Sequence, residues 1–358
     1  MSLNLLEIVQ RTFGEMGMVD SAPDSQAVVT SPSSSASEFK SLKAHFVKYK
    51  MLSGRTEERL QRISSGSIVK RFEHTPYPTK DSDVICPHFM ELKWGYGCPY
   101  DCAWCFLKGT LRMLPEKTAP KTKPRTKVLR HVRSALLQAS KPEMFNTGEL
   151  CDSLMDENNG GKPFSQWIVE EFERQTLHKV LFLTKSSNVK KMLQIENHDN
   201  AVASFSLNAY RVSRKWEKAP TPRARINAGA ELVDNGWEVR VRIDPIVPIP
   251  NWKEAYVELI EDLFSSYTPS RITLGTPRGL QSTLNNVTDK SWVEYLDSSR
   301  SGWGRKVPDE EREEIYRFML DKLESHISLD LVGLCKETLE MFSVLERDFK
   351  KQVCNCML

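Results

Sequence analysis

Three features of the sequence predict an α/β fold. From His88 onward, short β-rich runs alternate with stretches whose apolar residues recur at helical spacing. Several runs, such as Val180-Leu181-Phe182-Leu183 and 239–243, are continuous and rich in β-branched or aromatic residues, as in strands covered on both faces. With 358 residues, 40% of them apolar and 27% charged, the chain can bury a core without disulfide or metal staples. Repeated β-then-α units imply parallel strands joined by right-handed crossovers, as an open doubly wound sheet or a full or partial (β/α) barrel. Both arrangements put function at the carboxyl ends of the strands.

Taken in order, residues 1–37 read as a disordered, low-complexity segment. Residues 20–37 are rich in Ser, Ala and Pro and hold no aromatic, too little apolar surface to offset ordering entropy. A short amphipathic piece, 3–13, precedes them. Residues 38–85 are expected to form a helical N-terminal extension, because Phe39, Leu42, Phe46 and Tyr49 fall at helical spacing. Residues 86–335 hold the barrel-like domain, with strands predicted at 88–94, 143–147, 179–184, 202–207, 239–244, 271–274 and 327–331. Helices are predicted at 124–139, 164–175, 188–195, 222–235, 252–267 and 309–325. Asn188 and Asp309 fit helix starts and Gly236 a stop. Residues 336–358 complete the chain as a helix and a cysteine-containing tail.

Composition narrows the classes of function. A net charge of +3 compels neither a nucleic-acid nor a membrane partner. No window approaches the ~20 apolar residues of a membrane span. Glu7 and Glu15, with no long apolar run after them, fit neither a signal peptide nor a transit peptide. Cys356 is third from the end, so the CNCML terminus is not a prenylation box. The expectation is a cytoplasmic protein with reduced thiols and no membrane partner. In that compartment clustered cysteines suggest metal binding or catalysis.

The sharpest feature is Gly95-Tyr96-Gly97-Cys98-Pro99-Tyr100-Asp101-Cys102-Ala103-Trp104-Cys105-Phe106, directly after the first strand of the α/β region. Its C-x3-C-x2-C spacing puts Cys98, Cys102 and Cys105 on one tight loop. Three thiolates can hold three irons of a [4Fe–4S] cluster and leave the fourth open. An open position marks a catalytic site, as it does for zinc. A zinc site would need a fourth ligand, for which Cys86 and His88 are candidates. The alternative is therefore a zinc-stabilised nucleic-acid-binding module without radical chemistry.

This motif, with an aromatic before its third cysteine, resembles the signature of radical S-adenosylmethionine (SAM) enzymes. Four later blocks, Phe145 to Ser153, Val180 to Lys185, Ser204 to Ala209 and Arg242 to Ile246, resemble as an ordered set those of the spore photoproduct lyase family. The resemblance implies a full or partial (β/α) barrel of the radical SAM type. It implies a [4Fe–4S] cluster, SAM chelated at the open iron, an external one-electron reductant and a 5′-deoxyadenosyl radical that abstracts hydrogen from a substrate. Damaged or modified nucleic acid is the first candidate for that substrate. Residue by residue, Cys98, Cys102 and Cys105 match the cluster ligands and Trp104 the aromatic near the adenine. Gly148 and Glu149 match the Gly-Glu pair that receives the SAM amine, and Lys185 a lysine that meets its carboxylate. Ser206 and Asn208 match polar residues around the ribose and methionine. Cys151 matches the family's hydrogen-donating cysteine, and Ser153 the serine two places after it. Two departures argue against thymine-dimer repair while leaving SAM cleavage intact. Phe106 replaces a tyrosine that takes part in hydrogen transfer, and the family's Cys-x-Ser-Asp is here Cys151-Asp152-Ser153-Leu154.

Each signal has a plainer reading. Cys151 is alternatively a buried core thiol, Lys185 a solvated strand cap, and Glu149 and Asp152 helix caps. Ser206 and Asn208 are alternatively turn residues, and Arg242 and Asp244 an ion pair. Residues 108–133 hold nine Lys/Arg, either a phosphate-binding stripe or, as is usual, a solvated face. Thr276-Pro277-Arg278-Gly279 is a substrate contact or a turn. Cys335, Cys354 and Cys356, with Cys86, would suffice for a second metal centre; the plain reading is a strand-end thiol and a frayed terminus.

Overall fold

The computed structural model describes residues 40–358 apart from 74, 76, 115–117 and 298–299, so the segments read at 1–37 lie outside the described residues. Among the described residues the main sheet has ten strands: β1 (Ala44–Lys50), β2 (Thr56–Ile63), β3 (Val69–Arg71), β4 (Met90–Leu92), β5 (Met144–Asn146), β6 (Lys179–Thr184), β7 (Ala201–Leu207), β8 (Glu238–Ile243), β9 (Ile272–Leu274) and β10 (Val332–Leu334). Their spatial order is their sequence order. From β4 to β10 every neighbouring pair is parallel. A doubly wound sheet reverses at a switch point, whereas a (β/α) barrel, whole or partial, winds one way. The one-way order therefore resolves the choice that periodicity left open. A short antiparallel pairing of Glu337–Thr338 with Val84–Ile85 also ties the exit of β10 to the approach to β4.

The crossovers are α1 (Arg125–Gln138), α2 (Phe164–Phe172), α3 (Tyr210–Trp216), α4 (Pro222–Asp234), α5 (Trp252–Ser266) and α6 (Asp309–Glu324); α7 (Leu339–Val344) follows β10. The helix expected at 188–195 is only a 3-10 turn, Met192–Gln194. Asn188 does not cap it, because its backbone N–H donates to Ser186 Oγ and its side chain to Asn158. The strand expected at 327–331 begins at Val332, since Ser328 caps a 3-10 turn over Leu329–Leu331.

The helical extension expected over 38–85 is corrected. The described part is an antiparallel hairpin, β1 and β2, continued by β3 onto the edge of β4. His45 to Tyr49 is rich in aromatic and β-branched residues, Gly54 turns the chain at φ +84°, and the sheet edge offers unpaired backbone groups. Arg71, 1% exposed, fastens the hairpin by donating to Leu60 O, His88 O and the Glu143 carboxylate.

The two faces of the parallel strands differ. Phe145, Val180, Phe182, Ala203, Phe205, Val241, Ile243, Ile272 and Leu274 pack in one core with Val132 of α1, Ile168 of α2, Leu259 of α5 and Met319 of α6. On the opposite face, Met144, Leu181 and Val202 pack with Phe72, Phe89, Cys354 and Cys356. This face turns polar toward the carboxyl ends, through Asn146, Ser204, Ser206 and Arg242. The C-terminal tail lies against it and is not frayed. Asn355, fully buried, donates to Ser204 Oγ and Val241 O and is bonded twice to Thr273. A Cβ on Gly333 would meet Val353 O at 1.6 Å, so only glycine lets the tail cross β10.

Candidate functional site

The carboxyl ends of all seven parallel strands meet at one cavity of about 520 Å³. After β4, the loop brings Cys98, Cys102, Trp104 and Cys105 to its wall. Gly97 has φ +85°, and a Cβ there would lie 2.2 Å from Ala119 O, so the close approach requires glycine. Backbone bonds from Cys98 N to Thr118 O (2.8 Å), Ala103 N to Trp216 O (2.8 Å) and Cys105 N to Cys102 O (3.2 Å) hold the turn. Trp104 leans on Trp216 with ring centroids 5.7 Å apart. Burial raises all three thiols, Cys102 to about 12. Metal binding here would therefore release protons.

After β5 come Gly148, Glu149 and Cys151, all on the wall. A Cβ on Gly148 would meet Leu183 Cβ at 2.7 Å, which fixes the loop against β6. Buried Asn146 accepts from Gly148 N (2.9 Å) and donates to Glu149 Oε1 (3.1 Å). Cys151 is 4% exposed, donates to Thr147 O (3.4 Å), and its backbone bridges Gly97 of the cysteine loop. Burial raises its thiol well above the ordinary value.

Lys185 follows β6 and pairs with Glu217 at 2.8 Å. Glu217 is also held by buried Arg225 at 2.7 Å. Burial alone would raise the Glu217 carboxyl, but Lys185 and Arg225 outweigh it and hold it at about 2. Sequence reasoning missed both Glu217 and Arg225, which lie around the α3–α4 connection and belong to no recognisable spacing. Asp152 accepts from Thr184 Oγ1 (2.6 Å), Lys185 N (2.8 Å) and Leu154 N (3.0 Å). It is a strut that fixes the start of the Lys185 turn.

Ser206 lines the cavity, whereas Ser153 and Asn208 lie behind the wall. Ser153 accepts from Thr147 Oγ1 (2.8 Å) and Leu183 N (2.9 Å). Asn208 donates to Pro245 O (2.7 Å) and accepts from Tyr256 (2.7 Å) and Ala209 N (2.9 Å). Both were expected to contact a cofactor; in the structure their polar atoms are engaged within the protein.

At the β8 and β9 ends, Arg278 donates to both Asp244 oxygens (2.9 and 2.7 Å), while Arg242 stays 3.9 Å from that carboxylate. After β10, Lys336 stands 3.8 Å over Trp303 and 4.9 Å over Phe72, rings that stack 5.8 Å apart. Lys70 and Lys93 also reach the wall. The cavity's positive charge thus comes from strand ends and β3. In the 108–133 run, Lys117 lies outside the described residues. Of the others, Lys108 pairs with Asp101 at 2.6 Å, Arg133 donates to Glu171, Arg125 lies over Trp167, and none lines the cavity.

A zinc site built on the loop would draw its fourth ligand from Cys86 or His88, and neither is on this wall. A four-iron cluster spreads its ligands over separate corners. Three thiols on one loop fit that demand, at a cavity whose wall also holds Glu149, Lys185 and Ser206.

A family profile described as spore photoproduct lyase matches residues 90–274. The spore photoproduct lyase of Clostridium acetobutylicum is 22% identical over 174 residues, 46% of this chain and 48% of that protein. The Bacillus subtilis enzyme is 26% identical over 179 residues, 48% of this chain and 50% of its own length. The chain thus spans about half the length of these curated relatives. A spore photoproduct lyase variant solved with bound AdoMet and dinucleoside spore photoproduct superposes with a TM-score of 0.58 at 17% identity, covering 69% of this chain and 76% of that one. The resemblance read from the cysteine loop and the ordered strand-end blocks is therefore one of kinship, and the chain belongs to the spore photoproduct lyase family.

Proposed function

We propose that this protein is a radical SAM enzyme acting on nucleic acid. The observation that carries the reading is the meeting of three loop cysteines with all seven strand ends at one cavity. Cys98, Cys102 and Cys105 would hold a [4Fe–4S] cluster. Such a cluster, when bound and reduced by an external one-electron donor, would supply the electron for reductive cleavage of SAM. Glu149, oriented by Asn146, would take the amine of the SAM methionine, and Lys185 its carboxylate. Glu217 and Asp152 hold Lys185 from two sides, so a ligand carboxylate would meet a cation already aimed. The Trp104–Trp216 pair would exclude water from the adenine side.

For the substrate, the Phe72–Trp303 stack with Lys336 above it fits a nucleobase, and Lys70 on the same wall fits a phosphate. The dinucleoside bound by the related lyase points the same way. Cys151 keeps its hydrogen because burial holds the thiol protonated, which suits a hydrogen-atom donor.

SAM titration of the cluster-loaded protein tests the reading. Lys185→Ala and Glu149→Ala should each weaken binding about 10- to 100-fold, the loss of one charge-assisted bond of ~1.5–3 kcal/mol. Cys151→Ala should bind SAM as the wild type does. Wild-type affinity in both the Lys185 and Glu149 variants, with the cluster intact, would overturn the assignment.

A further inference from the structure

Four cysteines outside the loop motif come together although they are distant in sequence. Cys86 lies before β4, Cys335 follows β10, and Cys354 and Cys356 lie on the C-terminal tail. All four are buried, at 9%, 8%, 6% and 5% exposure, and free of disulfides. They line one small cavity that shares Glu149, Arg242, Cys335 and Lys336 with the wall of the larger one. Arg242 Nη2 lies 3.3 Å and Asn146 Nδ2 3.6 Å from Cys356 Sγ, so two N–H donors point at sulfur.

From this geometry we propose that Cys86, Cys335, Cys354 and Cys356 form a second metal centre, a four-thiolate site for a thiophilic metal, either an iron–sulfur cluster or zinc. Four thiols gathered in a reducing compartment suit metal ligation better than they suit core packing. Four thiolates give such a centre net negative charge, and Arg242 and Lys336 stand beside it to balance that charge. N–H donors aimed at ligand sulfur orient and tune thiolate centres. The tail is held where ligation needs it: Arg240 donates to Asn355 O, and Arg271 to Cys354 O and Met357 O. Among the described residues no three His, Cys, Asp or Glu side chains already converge on one point, so binding would draw the four thiols together. Binding would displace the four thiol protons to solvent and needs no change in oxidation state of the ligands.

This site does not depend on the first, and its test removes the first. The full chain carrying Cys98→Ala, Cys102→Ala and Cys105→Ala is reconstituted anaerobically with iron and sulfide, and separately with zinc, then desalted. The proposal predicts retained metal in one arm: iron with matching sulfide identifies a cluster, one zinc per chain a mononuclear centre. Adding Cys86→Ser, Cys335→Ser, Cys354→Ser and Cys356→Ser should abolish it. Because that variant could unfold, thiol alkylation of the triple-alanine protein is a second readout. The four cysteines should be protected at least tenfold by metal, and the protection lost on chelation. Metal content in neither arm above that of the seven-fold variant, or alkylation unchanged by metal, would overturn the proposal. The loop motif is absent throughout, so neither result bears on SAM chemistry.

Discussion

At the scale of single residues, the site depends on buried charges that the sequence does not advertise. Lys185 was legible because it directly follows a predicted strand and matches a lysine of the family. Its partner Glu217 was not, since a lone glutamate 32 positions on carries no pattern. Glu149, Cys151 and the three loop cysteines lie on the cavity wall, whereas Ser153 and Asn208 lie behind it; polarity alone cannot tell a wall from the strut behind it. A second buried acid gives a test. Burial raises Glu157 to about 7, with Asp156 adding repulsion and Ser165 opposing. The unfolded carboxyl titrates near its ordinary value of 4.5, so its contribution to stability is present below that pH and is lost as pH rises to about 7. Glu157→Gln should therefore leave stability unchanged at pH 4 and raise it by roughly 2–3 kcal/mol at pH 8. Urea unfolding at the two pH values checks this; a difference independent of pH would contradict it.

At the scale of elements, strands and helices with strong period and punctuation were legible: β6 and the helices α4, α5 and α6 fall within a residue or two of expectation. The misreading of the extension has a physical cause. Helical spacing in His45 to Tyr49 competes with β propensity, and only the sheet edge, which is tertiary information, decides. The tail was misread for the same reason. Asn355 looks like a terminal residue, yet it makes four side-chain and backbone bonds to Ser204, Val241 and Thr273. Asn355→Ala should cost about 3 kcal/mol, since it leaves buried partners unsatisfied. It should also speed hydrogen exchange in the tail. Wild-type stability and exchange in that variant would show that the tail is not a structural plug.

At the scale of the whole molecule, alternation of β and α units was enough to predict parallel strands and a site at their carboxyl ends. It was not enough to choose between winding patterns, which the one-way strand order decides. Nor could it show that β3 and the exit of β4 bring Lys70 and Lys93 to the same cavity as Lys336. The central claim is that the cysteine loop and the strand ends together cleave SAM. Its most direct test is 5′-deoxyadenosine formation by anaerobically reconstituted, dithionite-reduced protein. The account predicts that the wild type forms it and that the Cys98→Ala, Cys102→Ala, Cys105→Ala variant does not. No 5′-deoxyadenosine from the reduced, iron-loaded wild type, or equal amounts from both proteins, would contradict it.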